Sequence, residues 1–314
     1  MKTAEITKPK YVLVFVLAIC VVLLPYFVSS YYVGLVIQMF IFAIFALSLD
    51  VLVGHTGLPS MGHAAYFGAA GYATAFLFFA GIKNFWLVVL CGLITGGLTA
   101  CLFGLLAVRA YGAYFMIITL ALSQVLWAIA FKWRSITGGD DGIPGIKRPS
   151  IGIGIDMASD LHFYYFAFAI FILAFLAILV IVRSPFGHAL RGIRESELRM
   201  KALGYNVWLY KYTAFIIAGA FSGVSGVMWV YYTGYVNPSD TAIDTSVKGL
   251  LMLILGGSGT AFGPVIGSGL IVLLQNVISS LTQRWSMVLG IIYVLAVIFF
   301  SEGIFSVFKR GKKY

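Results

Sequence analysis

The sequence has few charged residues: Asp, Glu, Lys and Arg make up 10% of its 314 residues, against about 25% in a typical soluble protein. Hydrophobic residues account for 61%, and the mean hydropathy is +1.00. Apolar stretches of about 18 residues or more are typical of helices that span a membrane. The composition therefore excludes a soluble protein. It predicts an all-α integral membrane protein in which residues 1–314 form a single transmembrane domain.

Motifs for nucleotide hydrolysis, metal binding and nucleophilic catalysis are also lacking. No G-x-x-x-x-G-K-[ST] phosphate-binding loop occurs in the sequence, and the four histidines show no metal-ligand spacing. The three cysteines lie in apolar runs, where buried thiols are usually inert packing residues. We therefore expect no catalytic residue, no metal site and no cofactor in this chain, which is not predicted to be an enzyme.

Acidic residues are fewer than basic ones, with 11 Asp and Glu against 21 Lys and Arg, so that the net charge is +10. In a soluble protein this excess would suggest a nucleic-acid partner. In a membrane protein, however, Lys and Arg collect in the cytoplasmic loops. We therefore predict no binding of nucleic acid, and a multi-pass protein whose N- and C-termini both lie in the cytoplasm.

Long apolar runs divide the chain into about eight to ten predicted transmembrane helices. The runs lie at 11–29, 33–53, 64–81, 85–107, 111–131, 163–182, 212–233, 247–257, 261–281 and 286–304. Crossings counted from a cytoplasmic N-terminus place Arg109 inside and the loops 132–162 and 234–246 outside. The run 247–257 is too short to cross as a helix at 1.5 Å per residue. It is either half of a broken helix or a re-entrant segment.

The segment 183–211, which we call the basic segment, is polar although apolar runs flank it on both sides. Each of its basic side chains would cost several kcal/mol in the bilayer, so the segment must lie in water, on the cytoplasmic side. Apolar residues recur at helical spacing from Ala189 to Ile193, and Glu195 and Arg199 form an i,i+4 pair. The pattern predicts one short surface helix that docks a partner protein. A loop that only fixes topology or contacts anionic membrane lipid is the alternative.

Two glycine-rich segments, 54–73 and 256–269, interrupt the predicted helices at or near membrane depth. Irregular backbone at that depth is tolerated only against protein or a water-lined cavity. The N-terminus of a half-helix there suits an anionic group such as a carboxylate. The breaks indicate either a translocation pathway or tight turns that let helices pack closely. The candidate pathway residues are Gly54, Gly57, Ser60, Gly62, His63, Gly256, Gly257, Gly259, Gly263 and Pro264.

Few charged residues lie within the predicted helices. We interpret Asp50 as an interfacial residue that ends a helix before Gly54, rather than as a coupling residue. Lys248 and Glu302 lie near the ends of apolar runs, so we interpret them as interfacial too. Ion-driven transporters usually keep acidic residues inside the membrane. The sequence therefore favours a transporter that is powered by a partner, and an ion-coupled secondary transporter or a channel is the less favoured alternative.

Three blocks of sequence, in the same order along the chain, match the pattern of one family. GLPSMGHAAYFGAAGY, which ends at Tyr72, is similar to G-x-x-S-x-G-H-A-x-F-x-G-x-G-A-Y, and TGGDDGIPGI at 137–146 is similar to T-G-G-x-D-G-L-x-G-I. The third block runs from Ser184 to Gly226 and continues in LMLILGGSGTAFGPVIGS. On these blocks the chain resembles the permease subunits of branched-chain amino acid ABC transporters, particularly the LivM type. His188 and Leu58 stand where the family often has Arg and Gln.

The resemblance implies a fold and a set of partners. The fold would be that of an ABC-importer permease with broken or re-entrant segments, in the cytoplasmic (inner) membrane of a prokaryote. A second permease subunit, related or identical, would complete the pathway. Two cytosolic ATPase subunits would use the ATP, and an extracytoplasmic substrate-binding protein would deliver the cargo. The implied cargo is a branched-chain or related amino acid, and urea or a short-chain amide is the alternative.

The resemblance also implies a role for the basic segment. Part of it matches the family stretch G-x-A-L-x-x-I-R-x, which would couple the permease to its ATPases. The residues to which the resemblance assigns this coupling role are Gly187, Ala189, Leu190, Arg191, Ile193, Arg194 and Glu195.

Overall fold

The computed structural model describes residues 21–82, 84–149 and 157–282, together with scattered residues from 284 to 294. Helical residues 21–27 precede the first helix that is described in full. The helices that follow are α1 (Ser30–Thr56), α2 (His63–Phe79), α3 (Phe85–Ala107), α4 (Ala113–Lys132), α5 (Arg134–Thr137), α6 (Asp160–Arg183), α7 (Pro185–Glu195), α8 (Glu197–Ala202), α9 (Val207–Thr233), α10 (Ile243–Gly256) and α11 (Gly263–Leu281). The short elements are two 3-10 turns, Gly139–Asp141 and Pro238–Thr241, and the strands β1 (Ile143–Pro144) and β2 (Tyr235–Val236).

Six helices in the described ranges are long and apolar enough to cross a membrane: α1, α3, α4, α6, α9 and α11. This confirms the predicted all-α membrane protein. Two shorter helices, α2 and α10, correspond to the predicted runs 64–81 and 247–257. The run 11–29 is described only from residue 21 onward, and the run 286–304 lies largely outside the described residues. Glu302 lies outside them as well.

Two sets of loops mark the two ends of the helix bundle. At one end, β1 and β2 pair antiparallel, with Ile143 opposite Val236, and so join the loops 132–162 and 234–246. At the other end, which we call the basic end, α7 and α8 lie near the turn that contains Arg109. There the Nζ of Lys211 is 4.7 Å from the centre of the Tyr111 ring. Segments that were predicted on the same side of the membrane therefore lie together.

Helix α9 packs most extensively on α3, because glycines let the two backbones approach closely. Gly92 and Gly96 on α3 face Gly223 and Gly219 on α9. A Cβ atom added to Gly96 would collide with the carbonyl oxygen of Gly219, and one added to Gly223 would collide with that of Gly92. Small residues four positions apart commonly permit such crossings in membranes, where packing rather than the hydrophobic effect drives helix association.

Helices α2 and α10 begin inside the bundle rather than at its ends. The carbonyl of His63, at the start of α2, accepts a hydrogen bond of 3.3 Å from Ser222, which lies in the middle of α9. The Ala64 N–H donates to the Ser246 Oγ of α10 at 2.9 Å, so the first turns of α2 and α10 lie at the same depth. From there α2 runs toward strand β2, where Gly71 packs, and α10 runs to the basic end.

This geometry decides whether the run 247–257 is half of a broken helix or a re-entrant segment. The chain leaves α9 at the end that holds β2, returns to mid-depth as an irregular segment, and completes the passage as α10. The 14 residues of α10 measure about 21 Å, or roughly two-thirds of the hydrocarbon core. The run is therefore half of a broken crossing and not a re-entrant loop.

The chain follows the same kind of path around the first glycine break, but it runs in the opposite direction across the bundle. Helix α1 runs 27 residues to the basic end, residues 57–62 return to mid-depth, and α2 completes the passage to the far end. Helix α9 is also 27 residues long and is followed by an irregular return and a shorter helix. The pair has the form of an inverted structural repeat, an arrangement that many transporters use to place a site near the middle of the bilayer.

Candidate functional site

The basic segment folds as two short helices. The Ser184 Oγ accepts a hydrogen bond from the Gly187 N–H at 3.4 Å and caps α7, with Pro185 at the first helical position. Ser196 then adopts an extended backbone conformation, and its hydroxyl caps α8. The prediction of a single helix with a Glu195–Arg199 pair is wrong, because Ser196 interrupts the helix and separates the two residues.

The seven residues predicted to couple the permease to its ATPases lie on two faces of α7. Four are buried against the bundle: Gly187, Ala189, Leu190 and Ile193. Three are exposed: Arg191, Arg194 and Glu195. Because α7 packs on α1, α6 and α9, its apolar face fixes it to the bundle. Only the charged face is free to meet another protein.

Arg194 connects α7 to the first glycine break. Its Nη1 donates a hydrogen bond to the carbonyl oxygen of Gly54 in the last turn of α1. Gly57 ends α1 in the left-handed conformation, with a φ of 74°, which favours glycine. A Cβ atom at Gly57 would lie 3.0 Å from the Cγ of Arg194. The glycine thus allows both the turn and the approach of the arginine.

The second break, between α10 and α11, reaches the same place. The Gly259 N–H donates a hydrogen bond to the Asp50 Oδ1 at 2.7 Å. A Cβ atom at Gly259 would lie 3.2 Å from the Nη1 of Arg194. Both glycine breaks and the basic segment therefore meet at one point, which we call the Arg194 junction (Asp50, Gly54, Gly57, Arg194 and Gly259).

Asp50 is only 3% exposed and lies inside α1, which continues to Thr56. Its Oδ2 is 3.5 Å from the Nδ1 of His55, and its Oδ1 accepts the Gly259 N–H. The interpretation of Asp50 as an interfacial residue that ends a helix before Gly54 is wrong. A buried carboxylate needs hydrogen-bond donors, and the second break supplies one from a part of the chain that is distant in sequence.

A cavity of about 150 Å³ borders the Arg194 junction. Asp50, His55, Arg183 and Arg191 form its polar lining, and residues of α6 form an apolar wall. The junction is thus closely packed on one side and open on the other.

The candidates Ser60, Gly62 and His63 lie deeper, at the start of α2. The Ser60 Oγ accepts a hydrogen bond of 3.3 Å from the Gly62 N–H, and the Nε2 of His63 is 2.8 Å from the Ser48 Oγ. The Nδ1 of His63 is buried and has no hydrogen-bond partner among the described residues. These three residues therefore belong to the mid-depth region rather than to the Arg194 junction.

The remaining candidates form the tight turn between α10 and α11. Gly256 is the last residue of α10, Gly257 follows with a φ of 101°, and Gly263 and Pro264 begin α11. A Cβ atom at Gly256 would collide with the carbonyl oxygen of Gly263. Here the glycines serve close packing. At Gly54, Gly57 and Gly259, in contrast, they also make room for polar contacts.

Sequence reasoning missed the exposed side of α8. Leu198 is 80% exposed and Leu203 is 67% exposed, and the basic side chains of Arg199 and Lys201 are exposed beside them. These four residues, which we call the α8 surface, lie in the stretch that joins α7 to α9 at the basic end. The sequence did contain a signal for this surface. In ELRMKAL, two leucines alternate with charged residues, and neither lipid nor a buried core accommodates that combination.

An ion pair anchors α8 to the bundle. The Nζ of Lys211, which is 2% exposed at the start of α9, donates a hydrogen bond to the Oε1 of Glu197 in α8. The Lys211 ammonium also lies over the Tyr111 ring. A buried ammonium is costly unless it is paired, so the contact holds the α8 surface in a defined position.

Comparison with known proteins identifies the family. A family model described as branched-chain amino acid transport system / permease component matches residues 31–298. The chain belongs to this family. The predicted identity as a permease subunit of the branched-chain amino acid class, within a multi-pass membrane protein, is thereby confirmed.

Individual relatives agree with this assignment. The chain is 27% identical over 303 residues to the high-affinity branched-chain amino acid transport system permease protein LivM of Salmonella typhimurium, covering 89% of this chain and 71% of the relative. It is 26% identical over 264 residues to a probable LivM of Methanocaldococcus jannaschii, covering 72% and 75%. It is 25% identical over 253 residues to LivH of Escherichia coli, covering 76% and 82%. No solved structure matches the chain.

Proposed function

We propose that this permease subunit imports branched-chain amino acids across the cytoplasmic membrane of a prokaryote, driven by ATP hydrolysis in two partner ATPase subunits. The observation that carries the proposal is the Arg194 junction, where the basic segment contacts both glycine breaks. The chain has no phosphate-binding loop of its own. The names of its LivM and LivH relatives support the cargo.

The proposed orientation places the basic end in the cytoplasm, together with the N- and C-termini. The excess of Arg and Lys in the basic segment supports this orientation, because positive charge collects on the cytoplasmic side. The opposite end, with the β1–β2 pair, then faces an extracytoplasmic substrate-binding protein. A second permease subunit, related or identical, completes the pathway beside α2 and α10.

In the proposed mechanism, ATP binding and hydrolysis move α7 relative to α1. Arg194 transmits the movement to the Gly54 carbonyl at the end of α1. Because Gly259 lies against the same arginine and binds Asp50, the second break moves with the first. The half-helices α2 and α10 begin at mid-depth and run to opposite ends, so a shift of the two breaks alternates access between the two sides.

The direct test of the proposal is reconstitution of the complete transporter in proteoliposomes. We expect saturable uptake of radiolabelled leucine, isoleucine or valine that requires ATP and the loaded binding protein. Urea and acetamide in tenfold excess should not compete. Uptake that an ion gradient drives without ATP would contradict the proposal, and competition by urea or acetamide would favour the alternative cargo.

The α8 surface is suited to dock an ATPase subunit. Its two leucines supply an apolar centre, and Arg199 and Lys201 supply a basic rim. Protein interfaces commonly combine an apolar centre with a polar rim. The surface therefore fits an apolar groove that is flanked by acidic side chains.

Replacing both leucines of the α8 surface with serine is expected to lower co-purification of the ATPase subunits at least tenfold. The reason is that burial of each leucine contributes about 1.5–3 kcal/mol. The matched control is the double change Leu273→Ser and Leu281→Ser on α11, which alters leucines that are 46% and 79% exposed away from the basic end. The control should retain the ATPases. Parental co-purification of the α8 variant would contradict the docking role.

A further inference from the structure

Lys248 places a positive charge at the middle of the bundle. It is the sixth residue of α10, and its Nζ lies 3.9 Å from the centre of the Phe42 ring of α1. Along α1, Phe42 is about 18 Å from Ser30 and about 21 Å from Thr56 at 1.5 Å per residue. The interpretation of Lys248 as interfacial is therefore wrong. Its apolar run begins at mid-depth, so a position near the start of the run is not near the membrane surface.

The ammonium of Lys248 lacks an anionic partner in the described chain. No described Asp or Glu has a carboxylate oxygen within 4 Å of it, and Asp244, one turn earlier on α10, makes no ion pair with it. A charged side chain at this depth is tolerated where it faces protein or a water-filled pathway. The Phe42 ring compensates only a small part of the cost of removing the ammonium from water. An anionic ligand would therefore stabilise the charged form of Lys248 at this site.

The surroundings of Lys248 favour a ligand with a carboxylate group. The first turns of α2 and α10 meet at this depth, at the contact between Ala64 and Ser246, and helix N-termini attract negative charge. Phe42 packs against the rings of Phe67 and Trp229, with centroid distances of 6.3 and 5.2 Å. Phe42 and Phe67 are only 4% and 1% exposed, so these rings hold the lysine in place and leave its ammonium as the group that can meet a ligand.

We propose that Lys248 binds the carboxylate of the amino acid cargo midway along its passage. This inference rests on the proposed function. It goes beyond that function by naming the side chain that would bind the cargo at the middle of the membrane. Lys248 is partly buried in the single chain, which is compatible with a pathway that the second permease subunit closes.

The test compares Lys248→Gln and Lys248→Arg in the complete reconstituted transporter, with leucine uptake measured over a range of concentrations. We expect the glutamine variant to lose at least tenfold in uptake and the arginine variant to keep at least a third of the parental rate. The matched control is Lys132→Gln, which removes an exposed lysine at the end of α4 and should transport at the parental rate. Co-purification of the two permease subunits and the apparent Tm separate a transport defect from a folding defect.

Each outcome has a defined meaning. Parental uptake by the Lys248→Gln variant would overturn this inference and leave the proposed function intact. Loss of the second permease subunit from the glutamine variant would also overturn it, because the anionic partner would then be a carboxylate of that subunit. Failure of the parental transporter to take up any amino acid with ATP would overturn both the inference and the proposed function.

Discussion

Replacing Gly96 with alanine is expected to destabilise the helix bundle by about 1–3 kcal/mol, the usual cost of an extra methyl group in a tightly packed core. The added Cβ would collide with the carbonyl oxygen of Gly219 and would lie 2.9 Å from the Cα of Gly223. Both are backbone atoms, so neither can rotate away, and α3 and α9 must separate. Thermal unfolding is measured in detergent, and the quantity recorded at each temperature is the fraction of protein that still elutes as a monodisperse peak.

The neighbouring glycine provides a matched control for this prediction. A Cβ atom at Gly97 would lie 3.5 Å from the Cβ of Ala220, an ordinary van der Waals contact. The Gly97→Ala variant should therefore unfold at or above the parental temperature, since alanine favours a helix over glycine by about 1 kcal/mol. Equal destabilisation by the two substitutions would show that the close crossing of α3 and α9 does not limit stability.

Replacing Arg194 with methionine is expected to lower the number of leucine molecules imported per ATP hydrolysed by tenfold or more. Methionine retains part of the apolar stem that packs on Gly57, but it loses the charged hydrogen bond to the Gly54 carbonyl. A hydrogen bond from a charged group contributes about 1.5–3 kcal/mol, and about 1.4 kcal/mol corresponds to a factor of ten. Uptake and ATP hydrolysis should be measured on the same proteoliposomes.

Arg191 on the same helix provides the control for Arg194. Replacing Arg191 with methionine removes the same charge. The Arg191 guanidinium borders the same cavity, but its hydrogen bond goes to the Val182 carbonyl, at 3.5 Å, and among the described residues it makes no hydrogen bond to either glycine break. The Arg191→Met variant should therefore keep its ratio of uptake to ATP hydrolysis within about threefold of the parental ratio. This change is smaller than the loss of about tenfold that is expected when one charged hydrogen bond is removed. Equal uncoupling by both substitutions would mean that the charge of α7, rather than the Arg194 junction, carries the coupling.

Much of the fold was predictable because it depends on local sequence. Seven of the predicted runs lie within a few residues of α1, α2, α3, α4, α6, α9 and α11. The distribution of Lys and Arg correctly placed the loops 132–162 and 234–246 together and the basic segment opposite them. Apolar length and charge act on each segment separately, so each could be read without knowledge of its neighbours.

The functional residues were predicted less completely. The sequence identified both glycine breaks and Arg194, but it did not show that they meet. Asp50 was read as interfacial because its partner, Gly259, lies in another broken crossing. The α8 surface was missed because Ser196 divides what looked like one helix.

The sequence alone determined that the chain is a helical membrane protein with a water-facing basic segment, because charged groups are costly to remove from water and long apolar runs are stable in the bilayer. The resemblance of three sequence blocks to a known family added that it is a permease. The tertiary structure alone decided the depth and the partners of the polar residues. Lys248 lies at mid-depth because the chain enters the bundle as an irregular segment before α10 begins. Arg194 meets Gly54 and Gly259 because α1 and α10 both end beside α7. Such contacts join residues that are far apart along the chain, and they depend on the path of the backbone between them.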